Sequence, residues 1–236
     1  MRGLAFLGAF FFGASLIGAL TGAPGAALAV DAGRTEVDGA RQILVGLDLS
    51  KSNPLITDAG YAARVAARLG EELDALPLRS RVMVRTFGVY DASSNHLKID
   101  QVISARARPE DVAEGIQTLV ANLPALVKEG KLEAQMKTNI VPFLDTMAQV
   151  VDCKAMPTTV VLLTDGAEDS DYGKLTKWGG KLPVPPEAHY EGCEELVILG
   201  LGQGFNSPKT TARFRTAWQA YAEGAGFKSF TGLYDW

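Results

Sequence analysis

Two kinds of apolar spacing alternate along this chain. Residues 42–49 are apolar almost without a break, as in a strand covered on both faces. Residues 58–76 change to helical spacing: Ala62, Val65, Ala66, Leu69, Leu73 and Leu76 recur on one side, and Pro77 follows the end. Residues 81–87 return to a Val-rich alternation. Residues 97–104 divide Leu97, Ile99, Gln101 and Ile103 from Lys98, Asp100, Val102 and Ser104, which predicts an exposed edge strand. Polar turn material at 90–95 makes that strand antiparallel to the one before it. Pro109 opens a helix with Glu110 and Asp111 in its first turn, where the helix dipole favours acid. Val112, Ile116, Leu119, Val120 and Leu123 form its apolar stripe, and 125–137 is basic and predicts no defined element. Residues 140–151 are helical, with Pro142 in the first turn, where amide protons lack partners anyway. Residues 158–164 and 195–202 read as further buried strands, separated by a long loop over 166–194 that carries acids and Pro183, Pro185 and Pro186. Ser207-Pro208 starts a last helix with Phe214, Trp218 and Tyr221 on one face; Gly224 and Gly226 stop it, and 228–233 is a final strand.

This order predicts an α/β fold: a doubly wound, mostly parallel six-stranded sheet with one antiparallel edge strand and helices on both faces. Ligands of such sheets bind at the carboxyl ends of the strands, where strand order reverses. Asp48 closes the first strand and Asp165 the fourth.

Composition changes the picture mainly at the N-terminus. Arg2, an apolar run over 4–20, small helix-breaking residues and Ala27-Leu28-Ala29 form a secretory signal peptide, with cleavage expected after Ala29. The rival is an uncleaved anchor, for which 4–20 is barely long enough. Residues 30–37 then form a short linker and 38–236 the folded domain, placed in a periplasm or secreted. With 236 residues, 47% of them hydrophobic, the chain is ample for one core. A formal net charge of −4 argues against nucleic acid as a partner. Cys153 and Cys193 each precede a predicted strand, and an even count in an exported chain predicts a bridge; the alternative is two buried thiols.

The candidate chemistry sits in three short pieces. Asp48-Leu-Ser50-Lys-Ser52 ends a buried strand in one carboxylate and two hydroxyls, hard oxygens suited to a small divalent cation. Thr138-Asn-Ile opens a helix. Thr164-Asp165-Gly166 closes a second buried strand. Together, in this order and context, they resemble the metal-ion-dependent adhesion site of von Willebrand factor type A (VWA) domains, over roughly residues 38–236. The resemblance implies Mg²⁺ or Mn²⁺ bound directly by Ser50 and Ser52. It implies Thr138 joining directly or through water, and Asp48 and Asp165 holding the ion's waters or the ion itself. It also implies a protein partner that presents an Asp or Glu. Gln135-Met136-Lys137 stands where the family often has glycines, so Lys137 either opposes the cation or turns inward to neutralise Asp165.

Three functions follow: a metal-dependent binding module, a structural domain with a vestigial site, or a phosphatase-like hydrolase. The last needs Asp-x-Asp for nucleophile and general acid, and Ser50 occupies the second position. Glu168, Asp169 and Asp171 offer either a second cation site or a solvated loop. Gly200-Leu-Gly202-Gln-Gly204 lacks the spacing of a dinucleotide loop and reads as a turn. His96 and His189 have no metal-ligand spacing, and Trp178 and Trp236 are either exposed contacts or core cover.

Overall fold

The computed structural model describes residues 39–89, 97–177 and 179–235. The expected signal peptide (1–29) and linker (30–37), His96, Trp178 and Trp236 lie outside the described residues.

Strand β1 (Gln42–Asp48) is buried at every position, as its unbroken apolar run requires of a strand with neighbours on both sides and layers on both faces. It pairs in parallel with β2 (Arg81–Phe87) on one side and β4 (Thr158–Leu163) on the other. Antiparallel to β2 lies β3 (Lys98–Val102); β5 (Glu195–Leu199) and β6 (Ser229–Leu233) extend the sheet beyond β4 in parallel. The order β3-β2-β1-β4-β5-β6 makes an α/β, Rossmann-like sheet, and its antiparallel edge strand is where the VWA resemblance implied. The order reverses between β1 and β4, the point at whose carboxyl ends ligands of such sheets bind.

Helices α1 (Ala59–Asp74), α2 (Pro109–Ala121) and α3 (Leu123–Lys128) cover one face, packing Val65, Leu69, Leu73, Ile116 and Val120 against Val45, Leu47, Val82 and Val84. Helices α4 (Ile140–Met147) and α5 (Pro208–Ala225) cover the other, where Phe143, Leu144, Phe214 and Trp218 meet Leu44, Met83, Leu162 and Ile198. Gly46 sets how closely α4 approaches the sheet: a methyl group there would stand 2.7 Å from a Leu162 carbon and 2.8 Å from the Phe143 ring.

The largest departures from the sequence pattern are three, the other elements ending within two residues of it. α3 starts at Leu123, expected in the stripe of the preceding helix, and runs to Lys128 in the stretch 125–137 expected to hold no defined element; Asn122 links it directly to α2 and Pro124 fits its first turn. α4 ends at Met147, four residues short of 151, where the chain closes into turns. β5 stops at Leu199 rather than 202, since Gly200 and Gly202 take φ of +107° and +84° and turn the chain away; that also makes the glycine run the turn it was read to be. The long loop after β4 carries no helix among its described residues.

At the opposite, amino-terminal edge, Cys153 and Cys193 are joined by a disulfide with Cα atoms 4.8 Å apart. No helix among the described residues is long and apolar enough to cross a membrane.

Candidate metal centre

Parallel register aligns Leu47 with Leu163, so the next residues, Asp48 and Thr164, leave the sheet side by side. The Thr164 hydroxyl donates to Asp48 Oδ2 at 2.6 Å, and the Ser50 amide donates to Oδ1 at 2.8 Å. Asn53 ties the same two strand ends from behind. Its Nδ2 donates to the carbonyls of Asp48 (3.0 Å) and Leu163 (3.1 Å), while its Oδ1 accepts from the Leu55 amide. The turn after Asp48 brings the Ser50 and Ser52 hydroxyls to 3.4 Å from one another.

The third piece joins through backbone. Gln135 donates its amide to Leu49 and accepts from Lys51, a short parallel bridge that lays 135–138 along the Ser50 turn. The Asp169 amide then donates to the Thr138 carbonyl, and the Asn139 amide to Gly88 at the end of β2. A glycine at 88 is needed for this closeness, because a methyl group there would stand 2.5 Å from the Gln135 side chain. Residues 48–53, 135–139 and 164–169 are therefore bonded pairwise into one rim. Asp48, Ser50, Thr138 and Asp165 are all buried in it, and Ser52 is exposed.

The electrostatics are unusual for an exposed edge. Burial pushes the Asp48 carboxyl up, opposed by its bonds to Thr164 and Ser50. Burial pushes Asp165 up as well, and the Asp48 charge adds to this, against the Ala167 amide and the Ser52 hydroxyl. Asp165 Oδ1 accepts from the Ala167 amide at 2.8 Å, but Oδ2 is buried without a hydrogen-bond partner. Gly166 makes this turn possible with φ of +74°, and its carbonyl accepts from the Trp218 indole at 2.8 Å.

A third buried acid, Glu168, was hidden in the sequence among acids that read as a solvated loop or a second cation site. It is fully buried, and its Oε2 accepts from the Ile140 (2.8 Å) and Val141 (3.1 Å) amides, the first two of α4. Burial pushes its carboxyl up to about 7, opposed by Ser170 and the two amides and reinforced by Asp48. Asp169 instead pairs with Lys174, and Asp171 faces Lys137, so the three acids form no common site. That pairing also decides the Lys137 alternative: its ammonium turns outward, 3.5 Å from Asp171 and away from Asp165.

His189 lies 3.8 Å from Asp145, apart from this rim. Among the described residues no group of three or more His, Cys, Asp or Glu is placed to hold a metal. An ion here would depend on hydroxyls and water as well as acids. The donors fit that requirement: a hydroxyl pair, a buried carboxylate oxygen without a partner, and a second carboxylate whose charge it feels.

No protein-family model matches the chain, and no curated protein does. Solved structures similar to it include proximal thread matrix protein 1 from the mussel byssus, at 17% identity and TM-score 0.46 over 81% of this chain and 43% of that one. An aerotolerance-related membrane protein from Bacteroides fragilis matches at 14% identity and TM-score 0.44, covering 82% of this chain and 92% of its own. BatB from Bacteroides thetaiotaomicron matches at 13% and 0.43, covering 82% and 90%. The chain thus spans less than half the length of the mussel protein. These are likenesses of fold at low identity, and function is argued from the site.

Proposed function

We propose that this chain is an exported protein-binding module that grips an acidic side chain of a partner through Mg²⁺ or Mn²⁺ at the carboxyl edge of the sheet. Ser50, Ser52, Thr138, Asp48 and Asp165 would hold the ion. The bound cation would supply an electrophilic position for a partner's Asp or Glu. The observation that carries the reading is Asp165 Oδ2: a buried carboxylate oxygen without a hydrogen bond of good geometry, in a rim that also buries Asp48 and sets the Ser52 hydroxyl near the same carboxyl. Burial of like charges without compensation costs stability, and a cation between them relieves it. The chain's own residues do the rest. Asn53 fixes the strand ends, Gln135 fixes the Ser50 turn, and Lys137 stays out of the way on Asp171.

The rim also offers a surface for a protein. Met136 and Tyr172 are 72% and 64% exposed on the segments that carry Lys137 and Asp171. Exposed side chains of this size beside a polar centre suit partner contact. A hydrolase would need a second carboxylate where Ser50 stands.

The test is calorimetric titration with MnCl₂ of the domain and its Asp48→Ala variant, followed by capture from envelope extract in Mg²⁺ against EDTA. The wild type binds Mn²⁺ and the variant does not, while the variant keeps its fold by circular dichroism. Absence of heat with the wild type would instead make this a structural domain with a vestigial site. Metal-independent capture that survives Asp48→Ala would end the proposed mode of partner binding.

A further inference from the structure

Glu168 is placed to do more than cap a helix. Asn139, at the N-cap of α4, makes no side-chain cap bond, and Glu168 supplies the acceptor from 28 residues away. The grip is wider than the two amides of α4. The Asp169 amide bonds the Thr138 carbonyl, so the chain before and after Asn139 is held by residues 168–169, and the Leu175 amide in turn bonds the Glu168 carbonyl. A neutral acceptor such as Asn or Ser also satisfies helix amides. What a carboxylate adds is charge, and this one is fully buried. Its second oxygen, Oε1, has no hydrogen-bond partner, the same condition as Asp165 Oδ2. Two buried carboxylate oxygens without hydrogen-bond partners, three residues apart on one loop, point to the same missing counter-charge.

Resting on the proposed metal reading, we infer that Glu168 is a positioning residue of the cation site: it fixes Thr138 through α4 and holds part of the negative charge that retains the ion. Its Oε2 is already taken by the Ile140 and Val141 amides at the start of α4. It acts from behind the donors, as second-layer carboxylates do in other metal sites, where their loss weakens binding about 10–100-fold.

Glu168→Gln separates the two roles, because the amide oxygen still accepts from Ile140 and Val141 while the charge is gone. Mn²⁺ affinity by calorimetry and melting temperature in EDTA are measured for wild type, Glu168→Gln and Glu168→Asp. The expected result is a loss of about tenfold in Mn²⁺ affinity for Glu168→Gln, with metal-free melting no lower than wild type. Glu168→Asp, which keeps the charge on a shorter arm, retains more affinity than Glu168→Gln. Wild-type Mn²⁺ affinity in Glu168→Gln would overturn the inference and leave Glu168 a cap alone. Absence of Mn²⁺ binding by the wild type itself would instead bring down the metal reading and this inference with it.

Discussion

The two ends of the sheet treat their acids in opposite ways. At the amino-terminal edge Glu191 pairs with Lys154 and Glu194 with Lys228, all in solvent, beside the Cys153–Cys193 bridge. At the carboxyl-terminal edge Asp48, Asp165 and Glu168 are buried, receive only neutral donors, and leave two oxygens without any. Lysines are available at the second edge too, yet Lys137 and Lys174 turn to the outer acids Asp171 and Asp169. One edge is closed covalently, and its acids Glu191 and Glu194 are each paired with a lysine. The other is held rigid by hydrogen bonds and left short of positive charge. A fold gains nothing in stability from the second arrangement, so the difference separates the part that keeps the chain folded from the part proposed above to take a ligand.

Removing the bridge is the harshest way to test this division. Cys153→Ala with Cys193→Ala opens a loop of 40 residues and is expected to lower unfolding free energy by ~4 kcal/mol in the chain-entropy picture. Read by urea midpoint, this loss should leave Mn²⁺ affinity in the surviving folded fraction unchanged. A parallel loss of affinity would show that the edges are coupled.

A smaller effect is expected from pH. Glu168 is raised from an ordinary 4.5 to about 7, and Asp48 and Asp165 are raised as well. The folded state therefore keeps protons that the unfolded chain releases, so this contribution is present below about pH 4.5 and is lost as pH rises through about 7. In EDTA the urea midpoint should fall over that window. Asp165→Asn should flatten the fall, and saturating Mg²⁺ should oppose it. A midpoint that climbs from pH 5 to 8 in EDTA contradicts the assignment. The smallest effect belongs to the amino edge: Lys154→Met, which cuts the exposed pair with Glu191, should leave the urea midpoint where it was.

The fold was largely legible because burial on both faces writes itself as apolar runs. β1, β2 and β4 show it directly, and the split faces of β3 gave its edge position. Helix ends were less visible. The stripe of α4 continues to Val151 in sequence, but the chain already turns after Met147. Of the candidate site, Asp48, Ser50, Ser52 and Asp165 were legible because each lies within a few residues of a strand end. Glu168 was not. Its neighbours Asp169 and Asp171 are surface acids, and only the long-range bonds to Ile140 and Val141 set it apart. The one faint signal was α4 opening on Asn139 and Ile140 with no acid in its own first turn. Lys137 was ambiguous for the same reason: direction on a loop is decided by contacts distant in sequence.

Asn53 has a kinetic consequence. By bonding the carbonyls of Asp48 and Leu163 together it prevents β1 and β4 from splaying apart to ease the crowding of their acids. The cradle exists before any visitor arrives, so a cation would have little chain to rearrange and mainly its own hydration shell to shed. Exchange would then run at the pace of the departing water, quicker for manganese than for the more tightly hydrated magnesium.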